Sequence, residues 1–144
     1  MKNEIKIAQE DDLSLADQHL IHNGLGAFNH EQAGESGYAK LRLTIRDADG
    51  SIMGGLLAET YWGWMFIETL WIDKSLRGQG VGSKLIHDAE AEAIRRGCTR
   101  CYLDTFSFQA RPFYESHGYS VFASLPNFPE GHQRHFLVKD LVAS

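Results

Sequence analysis

Residues 71–85 read WIDKSLRGQGVGSKL, from Trp71 to Leu85. Gly78, Gly80 and Gly82 alternate there, between an apolar strand-like run and a segment rich in helix formers. A glycine inside an element costs about 0.5–1 kcal/mol relative to alanine, so three so close together need a physical reason. Either a turn demands them, or something approaches the backbone closely. A strand, a glycine loop and a helix start in that order expose several unpaired backbone N–H groups at the positive end of a helix. Such a cluster holds phosphate well, and missing Cβ atoms let the anion come near. A charge-assisted hydrogen bond contributes roughly 1.5–3 kcal/mol, so three or four of them offset the glycine penalties. Arg77 adds a permanent positive charge.

The spacing narrows the choice of phosphate. The P-loop pattern G-x-x-x-x-G-K-S/T fails, because Gly82 is followed by Ser83 and Lys84 and its first glycine would fall on Arg77. The dinucleotide pattern G-x-G-x-x-G fails at Ser83. The pattern R/Q-x-x-G-x-G/A fits, running from Arg77 through Gly80 to Gly82. On these residues the chain resembles the GNAT family of acyl-CoA-dependent N-acyltransferases, in its small bacterial form. Two further stretches carry the likeness. IETLWIDKSLRGQG is similar to the family's central strand, with Glu68 nine positions before Arg77. SFQARPFYESHGY is similar to its last helix, with Ala110 four residues before Tyr114 and Gly118-Tyr119 behind it. Many members have Asn seven before that tyrosine; here it is Ser107. The ending NFPEGHQRHFLVKDL also looks like the tail of this subgroup.

The rest of the chain reads as α/β elements. EIKIAQ alternates like a first strand, followed by an acidic helix start at Glu10–Asp12 and a helix through about Phe28. NHEQAGESG reads as loop. Two strands joined at Asp47–Gly50 follow, then a bend at Gly63 and a strand from about Trp64. After the glycines, Val81, Leu85, Ala89 and Ala93 repeat every four residues, widened by Ile86 and Ile94, and Gly97 stops the helix. TRCYLDTF is a strand, FQARPFYESHG a short helix, and two strands end the chain. The expected fold is a GNAT-type mixed central β-sheet flanked by helices, in the order β-α-β-β-β-α-β-α-β-β, as a single domain over residues 1–144.

Composition agrees with a globular domain: 144 residues, 23% charged and 43% hydrophobic. The formal net charge of −5 disfavours nucleic acid as a partner and suits a cationic amine. MKNEIKIAQEDDL lacks the apolar core of a signal peptide, and no apolar run approaches bilayer length, so the expected location is cytoplasmic with no membrane partner. Cys98 and Cys101 form a CxxC past a helix end, where buried thiols are the better reading than a redox pair or half a zinc site. His19 with His22, and His132 with His135, bring no third ligand at a usual spacing, so no metal is expected. Tyr61, Trp62 and Trp64 read first as hairpin packing.

The resemblance implies attack of an amine on acetyl-CoA. A substrate ammonium of pKa ~10 is neutral in about one molecule per thousand at pH 7, so a base is needed. By resemblance that base is Glu68, which the apolar strand around it would desolvate; an ion pair or an anchor for the substrate ammonium is the alternative role. The resemblance gives coenzyme A contacts at Leu70, Trp71 and Ile72, whose amides also serve the oxyanion. It places the diphosphate on Arg77, Gly78, Gln79, Gly80, Val81, Gly82 and Ser83, and further contacts at Ser107, Ala110 and Phe113. Tyr114 is its acid for the leaving thiolate. A phenol at ~10 against a thiol at ~8.5 makes full transfer uphill by about 2 kcal/mol, so hydrogen bonding to the developing thiolate is favoured unless the site lowers the phenol's pKa. A homodimer follows by fold analogy. The amine acceptor is not legible. The alternatives are a catalytically silent acyl-CoA-binding sensor, which needs neither Glu68 nor Tyr114, and a nucleotide-binding regulatory domain.

Overall fold

The computed structural model describes residues 4–142; Met1–Asn3, at the start of the N-terminal stretch read above, lie outside the described residues. The chain divides between Ser36 and Gly37 into two compact units.

In the first unit, helix α1 spans Leu15–Ala33. Its start is set by Ser14, whose hydroxyl accepts from the Asp17 N–H at 3.1 Å, with Asp17 also favourably placed near the positive helix end. Its end is set by Gly34 at φ +78°, whose N–H donates to the His30 carbonyl at 2.9 Å. The helix therefore begins later than Glu10 and runs past Phe28 into the stretch read as loop, since Glu31, Gln32 and Ala33 are compatible with helix up to the first glycine. The first strand expected at EIKIAQ is not formed. Residues 4–10 carry no ladder, and Ile5 and Ile7 are 88% and 99% exposed. Alternation supplies one apolar face, but without a neighbour to bond its N–H and C=O groups it makes no strand.

The second unit holds β1 (Ala39–Arg46), β2 (Ile52–Tyr61), β3 (Trp64–Ile72), α2 (Val81–Arg95), β4 (Arg100–Phe106), α3 (Arg111–Ser116), β5 (Ser120–Pro126) and β6 (Gln133–Asp140). One six-stranded sheet has the order β1-β2-β3-β4-β6-β5, antiparallel except between β3 and β4. Apart from the missing first strand, the elements follow the expected sequence.

Turn chemistry fixes the hairpins. The Asp47 carboxylate accepts from the N–H groups of Asp49 and Ser51 at 2.9 and 3.0 Å, and Gly50 takes φ +83°. Trp62 at φ +46° and Gly63 at φ +79° make the two-residue turn that matches strand twist, with Tyr61 opposite Trp64. Leu56, Ala58, Met65, Ile67, Cys101, Leu103 and Leu137 bury the sheet's inner face. Leu85, Ile86, Ala89 and Ala93 bury the inner stripe of α2, the one foreseen from the four-residue repeat. A helix crossover of this kind is the usual way to bring two consecutive strands parallel. It sets the glycine loop at the sheet end where β3 stops.

Candidate active site

The glycine loop has two different reasons for its composition. Gly78 and Gly80 lie at φ +77° and +78°, a conformation that disfavours a Cβ. Gly82 is helical, and a Cβ there would lie 3.1 Å from Ile72 Cδ1 and 3.2 Å from Phe113 Cζ. Turn geometry thus requires two of the three, and close packing of two side chains requires the third. The first intrahelical bond of α2 runs from the Lys84 N–H to the Gly80 carbonyl at 3.1 Å. No carbonyl or side chain among the described residues accepts from the N–H groups of Gly78 through Ser83. Asp73 anchors the approach to the loop: its carboxylate accepts from the Ser75 N–H at 3.0 Å and hydroxyl at 2.6 Å, which hold it below the usual carboxylate range. Arg77 is exposed, its Nε 3.4 Å from the Ile72 carbonyl.

The second structural device is the parting of β3 from β4. Parallel pairing covers only Trp64–Ile67 against Arg100–Leu103. From Thr69 to Ile72, β3 continues against β2 alone. At that point the β2–β3 register slips: Leu57 faces Thr69 while Ala58 faces Ile67, so Glu68 is the extra, unpaired residue of a β-bulge. Glu68 is exposed, not desolvated as its apolar neighbours suggested. The bulge is the physical reason, because it interrupts the inward–outward alternation that would have governed the side chain.

Between the freed edge of β3 and the start of α2 lies a cleft of about 740 Å³. Of the residues expected to contact coenzyme A, Leu70, Trp71, Ile72, Arg77, Gly78, Gly80, Val81, Gly82, Ser83, Ala110 and Phe113 line it. Gln79 and Ser107 do not. The Gln79 side chain donates to the Ser75 carbonyl at 3.2 Å, and the Ser107 hydroxyl accepts from the Gln133 N–H at 3.0 Å. Neither Glu68 nor Tyr114 lines the cleft. Tyr114 is 7% exposed and packs edge-on against Phe113, centroids 5.2 Å apart. Burial, assisted by Asp104 and Cys101, pushes its phenol up to about 12.

A glycine-loop anion cradle joined to an opened strand edge is the arrangement expected of an acyl-carrier site, and the chain's residues 11–119 match the model of the acetyltransferase (GNAT) family. The chain belongs to the GNAT family. It is 38% identical over 119 residues to an acetyltransferase of Agrobacterium fabrum, covering 83% of this chain and 87% of that one. It is 43% identical over 93 residues to a blasticidin-S acetyltransferase of Streptomyces morookaense, covering 64% and 68% of the two chains. A crystal structure of an acetyltransferase from Bacillus cereus superposes with a TM-score of 0.80 at 31% identity, over 93% of this chain and 98% of that one. The protein is an acetyltransferase enzyme.

In this GNAT site, three lining residues were not legible in the sequence: Leu76, Phe108 and Gln109. Gln109 fastens the loop after β4, its side-chain oxygen accepting from the Phe106 N–H at 2.8 Å. The only sequence signal for it was its place just before Ala110. The other singled-out groups play structural parts. Cys98 and Cys101 are buried and free, and desolvation pushes the Cys101 thiol up to about 12. His135 is buried against the Ser124 hydroxyl at 2.7 Å. No group of three potential metal ligands occurs among the described residues, and no helix among them is long and apolar enough to cross a membrane.

Proposed function

We propose that this enzyme transfers an acetyl group from acetyl-CoA to the neutral nitrogen of an amine, using the cleft between β3 and α2 for the coenzyme. The observation that supports this most is the run of unpaired N–H groups from Gly78 to Ser83 on the same cleft as the freed edge of β3. Diphosphate oxygens accept from the loop, with Arg77 as the mobile countercharge. The pantetheine arm runs beside Leu70–Ile72 as an added strand would, and an amide of that stretch donates to the thioester oxygen as it gains charge.

The amine nitrogen forms the new C–N bond as the C–S bond breaks. Glu68 takes the proton that the attacking nitrogen sheds; its exposure and its freedom from ladder pairing leave it able to meet an incoming acceptor. Tyr114 is buried off the cleft wall in the free chain, so its role as hydrogen-bond donor to the departing sulfur requires the phenol to open onto the cleft when the coenzyme binds. With its phenol pushed up to about 12, full transfer to a thiolate of ~8.5 is uphill by about 5 kcal/mol, so the thiolate takes its proton from water. The family match spans residues 11–119 and so crosses both units, which supports one functional domain. The net charge of −5 supports a cationic amine over nucleic acid as the partner.

The test is an acetyl-CoA turnover screen across amines, reading released thiol, with blasticidin S first in the panel because of the Streptomyces relative's name. Thiol release that depends on one amine supports the reading. Tight CoA binding with no amine-dependent release across the panel favours a silent acyl-CoA sensor.

A further inference from the structure

The Ser83 hydroxyl lies 2.9 Å from His117 Nε2, across a bond that joins the first turn of α2 to the residue ending α3. The same imidazole packs against the Phe113 ring, centroids 4.8 Å apart. Ser83 and Phe113 both line the cleft, on different elements, and His117 does not. A third contact completes the arrangement, since a Cβ on Gly82 would meet the Phe113 ring at 3.2 Å. One half-buried histidine therefore touches two walls of the site from behind. We propose that His117 is a positioning residue for coenzyme binding, holding the Ser83 hydroxyl and the Phe113 ring where the anion cradle needs them. This rests on the reading that the cleft receives acetyl-CoA.

The chemistry turns on the direction of one hydrogen bond. A serine in the first turn of a helix otherwise bends back to its own backbone or to water. When His117 Nε2–H donates to Ser83 Oγ, the hydroxyl keeps its own proton for a phosphate oxygen. When the hydroxyl donates to Nε2 instead, its lone pairs meet the anion. Diphosphate binding thus selects the Nε2–H form of the ring. The His117 backbone is fixed at the helix end, where its main-chain N–H donates to the Tyr114 carbonyl at 3.0 Å and Gly118 turns the chain at φ +89°.

The test combines calorimetry with CoA and steady-state kinetics on the full chain. His117→Ala is expected to weaken CoA binding about three- to tenfold, the effect of losing one hydrogen bond. KM for acetyl-CoA rises with it, while kcat and KM for the amine hold. His117→Gln, which can offer an N–H toward Ser83, restores most of the affinity. In a double-mutant cycle, His117→Ala costs clearly less once Ser83 is Ala, the remainder being its contact with the Phe113 ring. CoA binding unchanged in His117→Ala, or losses that simply add in the double variant, overturns the inference alone. Failure of the wild-type chain to bind CoA overturns the cleft reading and this inference together. Should His117→Ala fold poorly, His117→Phe takes its place, keeping a ring against Phe113 but offering Ser83 no hydrogen bond. The same direction of loss in CoA affinity is expected, and unchanged affinity overturns the inference.

Discussion

Ile67 and Leu103 form the last pair joining β3 to β4, and the next residue, Glu68, is the one that β2 also skips. One irregularity therefore does two things: it ends the parallel pairing that would close the cleft, and it releases a carboxylate from both neighbouring strands. Bulges are found beside active sites for this reason.

Glu68→Gln tests the base. The side chain is exposed, so folding stability should change by less than about 0.5 kcal/mol. The expected loss in kcat/KM for the amine is about 10²- to 10⁴-fold, with KM for acetyl-CoA held. Steady-state kinetics beside a melting curve reads both quantities, and full activity in the variant removes Glu68 from the chemistry.

Tyr114→Phe removes only the phenol oxygen from a packed ring. The proposed hydrogen bond from that phenol to the departing sulfur predicts a fall in kcat without loss of CoA affinity. Burial-driven elevation of the phenol to about 12 predicts that no alkaline limb of the wild-type pH–rate profile below about pH 11 belongs to Tyr114. A limb near pH 9 that vanishes in the variant would contradict this.

Gly80→Ala and Gly82→Ala separate two reasons for glycine. At Gly80 the positive φ of +78° makes any Cβ costly, by about 1–2 kcal/mol, so both stability and CoA affinity fall. At Gly82 the backbone is helical and alanine favours helix, but the new Cβ pushes on Ile72 and Phe113. CoA affinity should fall there with little loss of stability. Thermal melts with calorimetry distinguish the two patterns.

The glycine loop, α2 and most of the second unit's strands were legible because each local signal agreed with the tertiary outcome. Gly63 and Gly97 sit at positive φ where the sequence put a bend and a stop, and the Leu85–Ala89–Ala93 repeat is buried. EIKIAQ failed because alternation says nothing about whether a bonding partner exists. The exposure of Glu68 was hidden for a related reason: apolar neighbours predict burial only where register is regular, and a bulge is set by pairing between strands. Phe108 and Gln109 reach the cleft through a loop whose course depends on Thr105 and Phe106, which leave no periodic trace.

Buried protonated groups give the fold a pH dependence of definite sign. Desolvation raises Cys101 from 9.0 to about 12 and Tyr114 from 10.0 to about 12. The folded chain keeps these protons after the unfolded chain has released them, so their contribution is whole below about pH 9 and is lost as pH rises towards 12. Tm should fall between pH 9 and pH 11, more gently in Cys101→Ala. A Tm that rises over that interval would contradict the assigned burial.

The most direct test of the site is a titration of the ¹⁵N-labelled chain with CoA, followed at the glycine amides. Large, saturating shifts at Gly78, Gly80 and Gly82, absent from Gly24 and Gly131, are the predicted result. Binding that leaves those three amides unmoved, or no binding at all, would contradict the claim that this loop holds the coenzyme's diphosphate.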